Sequence, residues 1–199
     1  MALIAWYKLD GDALDSSGNG SHINISGATL SDGKIGKCYE FASGNKITAN
    51  NVSIGYSCTI SAWGYATSYS SSMMLFSLNS ADWSGADLYF TSGTVCWNTG
   101  DGNSNPFKNN GSNVTQPSLN TWHHYATVVD ADKNKVLLYV NGDYYGEATY
   151  KSPYQVNRQF IIGNYSSGTS YAWRGKIDDV RVYDHALSPK EVQELAKAK

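Results

Sequence analysis

Asp10, Asp12, Asp15 and Asn19 lie within ten residues of a stretch rich in Gly and Ser. Calcium takes six to eight oxygens from carboxylates, amides and backbone carbonyls, so this run could wrap a cation. The same residue types are also turn formers in their own right, and a plain loop is the alternative. His123 and His124 invite a zinc reading, but neighbours on a strand point to opposite faces and cannot grip one ion together. A structural role is expected for both.

A second chemistry needs an aromatic ring beside amides and carboxylates. Trp83 sits in Asp82-Trp83-Ser84-Gly85, and Trp97 with Asn98 and Asp101 opens a long polar stretch. Tyr144 and Tyr145 follow a hairpin turn, and Tyr171 and Trp173 lie in Ser170-Tyr171-Ala172-Trp173-Arg174. Tyr and Trp combine a large apolar face with a polar handle. A stacked ring with two or three hydrogen bonds is how a preformed surface holds a sugar without a large entropy loss. The alternative for each is ordinary packing. Trp6, Trp63 and Trp122 fall inside regular strand patterns and are expected in the core.

Glycoside hydrolysis needs two carboxyl groups held across a scissile bond. The glutamates are Glu40, Glu147, Glu191 and Glu194, and none has an acidic partner two residues away. Asp10 and Asp12 are so spaced, but Gly11 between them implies a turn. No nucleophile elbow, Cys–His signature or phosphate-cradling loop is present. A non-catalytic protein is expected.

These residues must be positioned by a scaffold. Hydrophobic residues are 41% of the 199, enough for a real core, and charged residues only 16%. Polarity comes from Ser, Asn, Thr, Gly and 15 Tyr. Net charge is −2 with no basic stripe, which leaves nucleic acid without an electrostatic footprint. No apolar run approaches the ~18 residues of a membrane span, and no signal peptide precedes the first strand-like run. Cys38, Cys58 and Cys96 lack metal-ligand spacing. One disulfide is possible, but three buried free thiols are expected. Asn-x-Ser/Thr triplets at Asn19, Asn24, Asn51, Asn110, Asn113 and Asn164 are read as unmodified.

Short apolar runs punctuated by Gly, Asn and Ser predict an all-β chain. Strands are expected at Leu3–Leu9, Ile23–Ile25, Cys38–Phe41, Lys46–Thr48, Cys58–Ala66, Met73–Leu78, Asp87–Phe90 and Val95–Asn98. Thr99–Gln116 reads as a structureless loop. Trp122–Val129, Val136–Val140, Asp143–Ala148, Phe160–Gly163 and Lys176–Tyr183 complete the strands. Asn141-Gly142 predicts a type I′ turn. Ser188-Pro189-Lys190-Glu191 is a capping box with Pro at the first helical position, opening a short helix over Pro189–Ala196.

Three segments together resemble the laminin G-like, concanavalin A-like jelly-roll family. They are Ala5-Trp6-Tyr7-Lys8-Leu9-Asp10-Gly11-Asp12-Ala13 with Asp15–Gly20; Trp122-His123-His124-Tyr125-Ala126 with Leu138–Gly142; and Gly175–Tyr183 with Ala186-Leu187-Ser188. The resemblance is weakest between Thr67 and Gln116. It implies one domain over residues 1–199, a two-sheet antiparallel β-sandwich with a short C-terminal helix. Its terminal strands would be neighbours. That would bring Asp178 and Asp179 towards Asp10, Asp12, Asp15 and Asn19, and a structural calcium is implied with Asp178 among its ligands. Both aspartates could ligate by side chain only if a bulge intervened.

The resemblance also implies a lectin-like, carbohydrate-binding function, with a glycan or cell-surface polysaccharide as partner. Other virion domains or modular-enzyme domains are further expected partners. Met1-Ala2 reads as a natural start, which suits a phage virion protein made in host cytoplasm. An extracellular piece of a larger protein is the other context. The competing classes are a structural or protein-interaction domain without a sugar site, and a hydrolase or lyase.

Overall fold

A computed structural model describes residues 2–69, 71–78, 86–91, 93–98, 104–150, 158–165 and 171–198. Two antiparallel sheets face each other. The larger holds β1 (Leu3–Tyr7), β3 (Thr29–Asp32), β4 (Lys37–Phe41), β6 (Cys58–Ala66), β11 (Lys108–Asn109) and β12 (Ser112–Asn113). It also holds β13 (Trp122–Asp130), β14 (Lys135–Val140), β15 (Asp143–Thr149) and β17 (Gly175–Tyr183). The smaller holds β2 (Ile23–Ser26), β5 (Lys46–Val52), β7 (Met73–Leu78), β8 (Asp87–Thr91), β9 (Thr94–Asn98), β10 (Ser104–Pro106) and β16 (Arg158–Ile162). The stretch expected to be structureless therefore contains β10, β11 and β12. They are too short and polar to show a period.

In the larger sheet the order runs β12-β11-β15-β14-β13-β6-β17-β4-β3, and β1 also pairs with β17. The opening and closing strands are thus neighbours, pairing from Leu3 opposite Tyr183 to Tyr7 opposite Val180 with an irregularity between Leu3 and Ala5. Strand alternation decides what each face carries. On β6, Ile60, Ala62 and Ala66 join the main core with Val180 and Val182 of β17 and Phe76, Leu88, Phe90 and Phe160 of the smaller sheet. Gly64 faces inward, where a Cβ would stand 3.1–3.2 Å from Trp173, Tyr125 and Leu75.

Strand β14 is apolar on both faces for a structural reason. Val136, Leu138 and Val140 enter the main core, whereas Leu137 and Tyr139 join an outer cluster with Ala126, Val128 and Leu187. Helix α1 (Pro189–Ala196) covers that cluster through Val192, fully buried, and Leu195. Burying a side chain of this size contributes about 1.5–3 kcal/mol. The capping box forms: the Ser188 hydroxyl accepts from the Glu191 N–H, and the Glu191 carboxylate accepts from the Ser188 N–H. Asn141 and Gly142 both have positive φ (55° and 86°), the type I′ requirement. The three cysteines are buried thiols, none of them in a disulfide.

Two strand irregularities re-aim functional side chains. On β17, Asp178 lies opposite Trp63 while Arg181 lies opposite Ser61, so an extra residue is inserted and Asp179 takes φ 47°. On β15, Tyr144 lies opposite Tyr139 while Gly146 lies opposite Leu138. Tyr145 then packs towards the main core and Tyr144 stays 46% exposed.

Candidate functional site

The acidic residues near the first strand divide into two groups. Asp15 is buried and accepts four hydrogen bonds: from the N–H of Trp6 (3.0 Å), the N–H and hydroxyl of Ser17 (2.9 Å each) and the N–H of Ser21 (3.1 Å). Burial pushes its carboxyl up, but those donors outweigh it and hold the group below its ordinary range. Asn19 donates to the carbonyls of Leu3 and Ile4, and Asp12 accepts from the Leu14 N–H. These contacts tie one loop to β1.

The second group surrounds the turn of residues 33–36. Asp178, fully buried, accepts from the Ile35 N–H through Oδ2 at 2.9 Å. Its Oδ1 is buried with no hydrogen-bond partner. Burial, with the neighbouring Asp179 charge adding to it, lifts the carboxyl to about 7. Asp10 meets the same turn from the other side, its Oδ1 accepting from the Lys37 N–H at 2.8 Å. Gly33 leaves the room: a Cβ there would stand 2.5 Å from the Lys37 carbonyl oxygen and 2.7 Å from Asp178 Oδ2. Asp179 is differently engaged, pairing with Arg181 at 2.9 Å and accepting from Trp6 Nε1 at 2.6 Å. Among the described residues, no three of His, Cys, Asp and Glu gather closely enough to hold a metal by themselves. A cation here would need backbone carbonyls as well.

Asp178, Trp63 and His124 lie in register across β17, β6 and β13. Trp63 Nε1 and His124 Nδ1 are also buried without a partner. Burial pushes His124 down to about 3, so it is neutral. Lys34 stands 4.9 Å above the Trp63 ring.

The aromatic candidates scatter. Trp97 and Trp173 are wholly buried in the main core. Neither presents a ring to solvent, which corrects the expectation that they stack on a ligand. Conversely, Trp6 and Trp122, expected in the core, are only partly buried, whereas Trp63 is buried as expected, though apart from the main cluster. Asn98 and Tyr171 share the outer side of the smaller sheet. Asn98 is buried and donates to Asp87 at 2.9 Å, while Tyr171 packs at 6.0 Å on Tyr165, which is buried with Met74, Tyr89 and Cys96. Burial lifts the Asp87 carboxyl to about 6, partly offset by bonds that include those from Asn98 and the Leu78 N–H. Trp83 and Asp101 lie outside the described residues.

Tyr144 lines a cleft of about 660 Å³ formed by β10, β11, β15 and the turn between β13 and β14. Its ring lies edge-to-face with Tyr139, centroids 6.2 Å apart. Around it stand Lys108, Asn109, Asn110, Lys133, Asn134, Lys135 and Glu147. Asn110 and Asn134 have φ 51° and 53°, so tight turns fix their backbones at the rim. Lys135 pairs with Glu147 at 2.8 Å and Lys133 with Asp130 at 2.6 Å. The sequence reading missed these residues. Their signal is Asn-Asn-Gly at 109–111 and Lys-Asn-Lys at 133–135, turns that read as mere punctuation until β11 and β14 are brought to the same rim.

Residues 41–193 match the family model described as the concanavalin A-like lectin/glucanases superfamily. Among solved structures, domain 4 of AbnA, a GH43 extracellular arabinanase from Geobacillus stearothermophilus, in complex with arabinotriose, aligns with a TM-score of 0.75 and 21% identity over 98% of each chain. The botulinum neurotoxin type G receptor binding domain aligns at 0.74 and 17% identity over 99% of this chain and 51% of its own. The binding domain of Paraclostridial Mosquitocidal Protein 1 aligns at 0.69 and 19% identity over 98% and 52%. The chain spans about half the length of the latter two. These likenesses show the fold. No curated protein sequence matches the chain. No helix among the described residues is long and apolar enough to cross a membrane.

Proposed function

The chain belongs to the concanavalin A-like lectin/glucanase superfamily, and from that premise we propose that it is a non-catalytic carbohydrate-binding domain whose sugar surface is the Tyr144 cleft. The observation that carries this reading is an exposed aromatic ring in a concave surface rimmed by amides. Glu147 is the carboxylate among the lining residues, and its pairing with Lys135 leaves it suited to hold a hydroxyl rather than to cleave a bond. The fold neighbour crystallised with arabinotriose is consistent with such a role. A glycan array with the wild type and Tyr144→Ala tests it. Loss of the ring is expected to weaken binding about tenfold, the equivalent of 1.4 kcal/mol. A wild type that retains no glycan overturns the reading.

We further propose that calcium binds at the 33–36 turn. Asp178, with its unpartnered buried Oδ1, fits the need for a hard oxygen ligand, and Asp10 and the Lys37 carbonyl adjoin the same turn. Asp12, Asp15 and Asn19 would steady the neighbouring loop and not ligate. When bound, the ion would neutralise Asp178 and fix the turn against β17. Excess calcium is expected to raise the melting temperature over EDTA, by about 2.7 kcal/mol of stability at a hundredfold excess over Kd. No shift removes the metal. Such a domain serves equally as a virion decoration or as an appendage of a polysaccharide-degrading enzyme, and neighbouring genes distinguish the two.

A further inference from the structure

The Tyr144 cleft carries the opposite charge to the chain as a whole. Net charge is −2, yet the cleft is lined by Lys108, Lys133 and Lys135 against Glu147 alone, three positive charges to one negative. The lysines are not equivalent. Lys133 is neutralised by Asp130 and Lys135 by Glu147, whereas Lys108, exposed on β11 opposite Glu147, has no ion-pair partner among the described residues. The Lys135–Glu147 pair is about half exposed on both sides, and such surface pairs are worth ~0–1 kcal/mol. A ligand anion can therefore take Lys135 from Glu147 at little cost, while Lys108 is already free to receive it.

From this we infer that the cleft selects acidic glycans, with a sugar ring on Tyr144 and its carboxylate or sulfate between Lys108 and Lys135. The inference rests on the carbohydrate-binding reading and specifies its substrate class. It assigns a role to Lys108, which neither stacks nor packs. Electrostatic recognition of this kind weakens as salt is added.

Calorimetric titration with oligogalacturonides and their methyl-esterified forms, and with sulfated and unsulfated dextran oligomers, tests it at low and high salt. The acidic member of at least one pair is expected to bind about tenfold more tightly at low salt, a preference that shrinks at high salt. Lys108→Gln, at an exposed position, is expected to fold with an unchanged melting temperature and to reduce that preference severalfold. Tyr144→Ala is expected to weaken acidic and neutral ligands alike. If the acid-binding survives Tyr144→Ala unchanged, the lysines are a generic polyanion surface and the inference fails. Equal affinity within both pairs overturns the charge selection but leaves the carbohydrate reading standing. Absence of binding to all four ligands and to the glycan array overturns both.

Discussion

Asp15 and Asp178 are both buried carboxylates beside the terminal strands, and the protein supplies them differently. Asp15 receives four hydrogen bonds and sits below its ordinary pKa; Asp178 keeps one oxygen without a partner and is raised to about 7. Burial acts on both in the same direction, so the donors decide the outcome. The loop at Asp15 is complete in itself. At Asp178 the backbone donors are outweighed by burial.

The contrast can be broken most severely at Asp15. Asp15→Ala leaves the Trp6, Ser17 and Ser21 N–H groups without their acceptor, the last bond buried and the others partly so, and a buried donor so stranded costs about 1–3 kcal/mol. A loss of at least ~3 kcal/mol in urea unfolding is expected. A loss below ~1 kcal/mol would mean that solvent replaces the carboxylate and that the loop is not self-sufficient.

Asp178→Asn sharpens the other half. The amide removes the buried charge, so the variant in EDTA is expected to be as stable as the wild type or slightly more so. The calcium-induced shift, up to about 2.7 kcal/mol at a hundredfold excess over Kd in the wild type, should disappear. A shift that persists in this variant places the ion elsewhere.

A third buried carboxylate, Asp87, tests the rule on the smaller sheet. It is raised to about 6, so the folded state retains a proton that the unfolded state has already released. Its contribution is full below about pH 4 and is lost as pH climbs towards 6, on the order of 2 kcal/mol. Asp15 acts with the opposite sign, contributing above the ordinary carboxylate range and losing its effect as pH falls. Asp178 also titrates upward, so the measurement is cleanest on an Asp178→Asn background. There, Asp87→Asn should flatten the stability profile between pH 4 and 6, and an unchanged slope would refute the assignment.

The smallest effect belongs at the surface. In the capping box, the same N–H-to-oxygen bonds form in contact with water. Ser188→Ala is expected to cost about 1 kcal/mol, well under Asp15→Ala, because solvent can satisfy what the side chain leaves. Equal costs at the two sites would show that burial is not what separates them.

Much of this scaffold could be read from residue order. The alternation of Cys58–Ala66, the Asn141-Gly142 turn and the Ser188 box are local, and local chemistry determined each. Trp6, Trp97, Trp122 and Trp173 were harder to place, because a period of two separates the faces of a strand without saying which face turns inward. Trp63 is buried with Thr59 and Ser61 on the face of β6 away from the main core, whereas Trp97 shares its face with Val95 and points into the main core. The bulge that buries both Asp178 and Asp179 is a tertiary feature of β17 against β6, and Asp-Asp carries no mark of it. The Tyr144 cleft was half visible: the ring could be named, but Lys108 reaches it from β11, far from β15 in the chain.

Helix α1 packs on the outer face of the larger sheet without pairing with any strand, and the last strand ends at Tyr183. A chain clipped after Asp184 would retain every strand and yet bare Val128, Leu137 and Tyr139 as an apolar strip. Such a strip is an aggregation liability, so the segment from Ala186 to Leu195 shields this face of the larger sheet as well as packing on it.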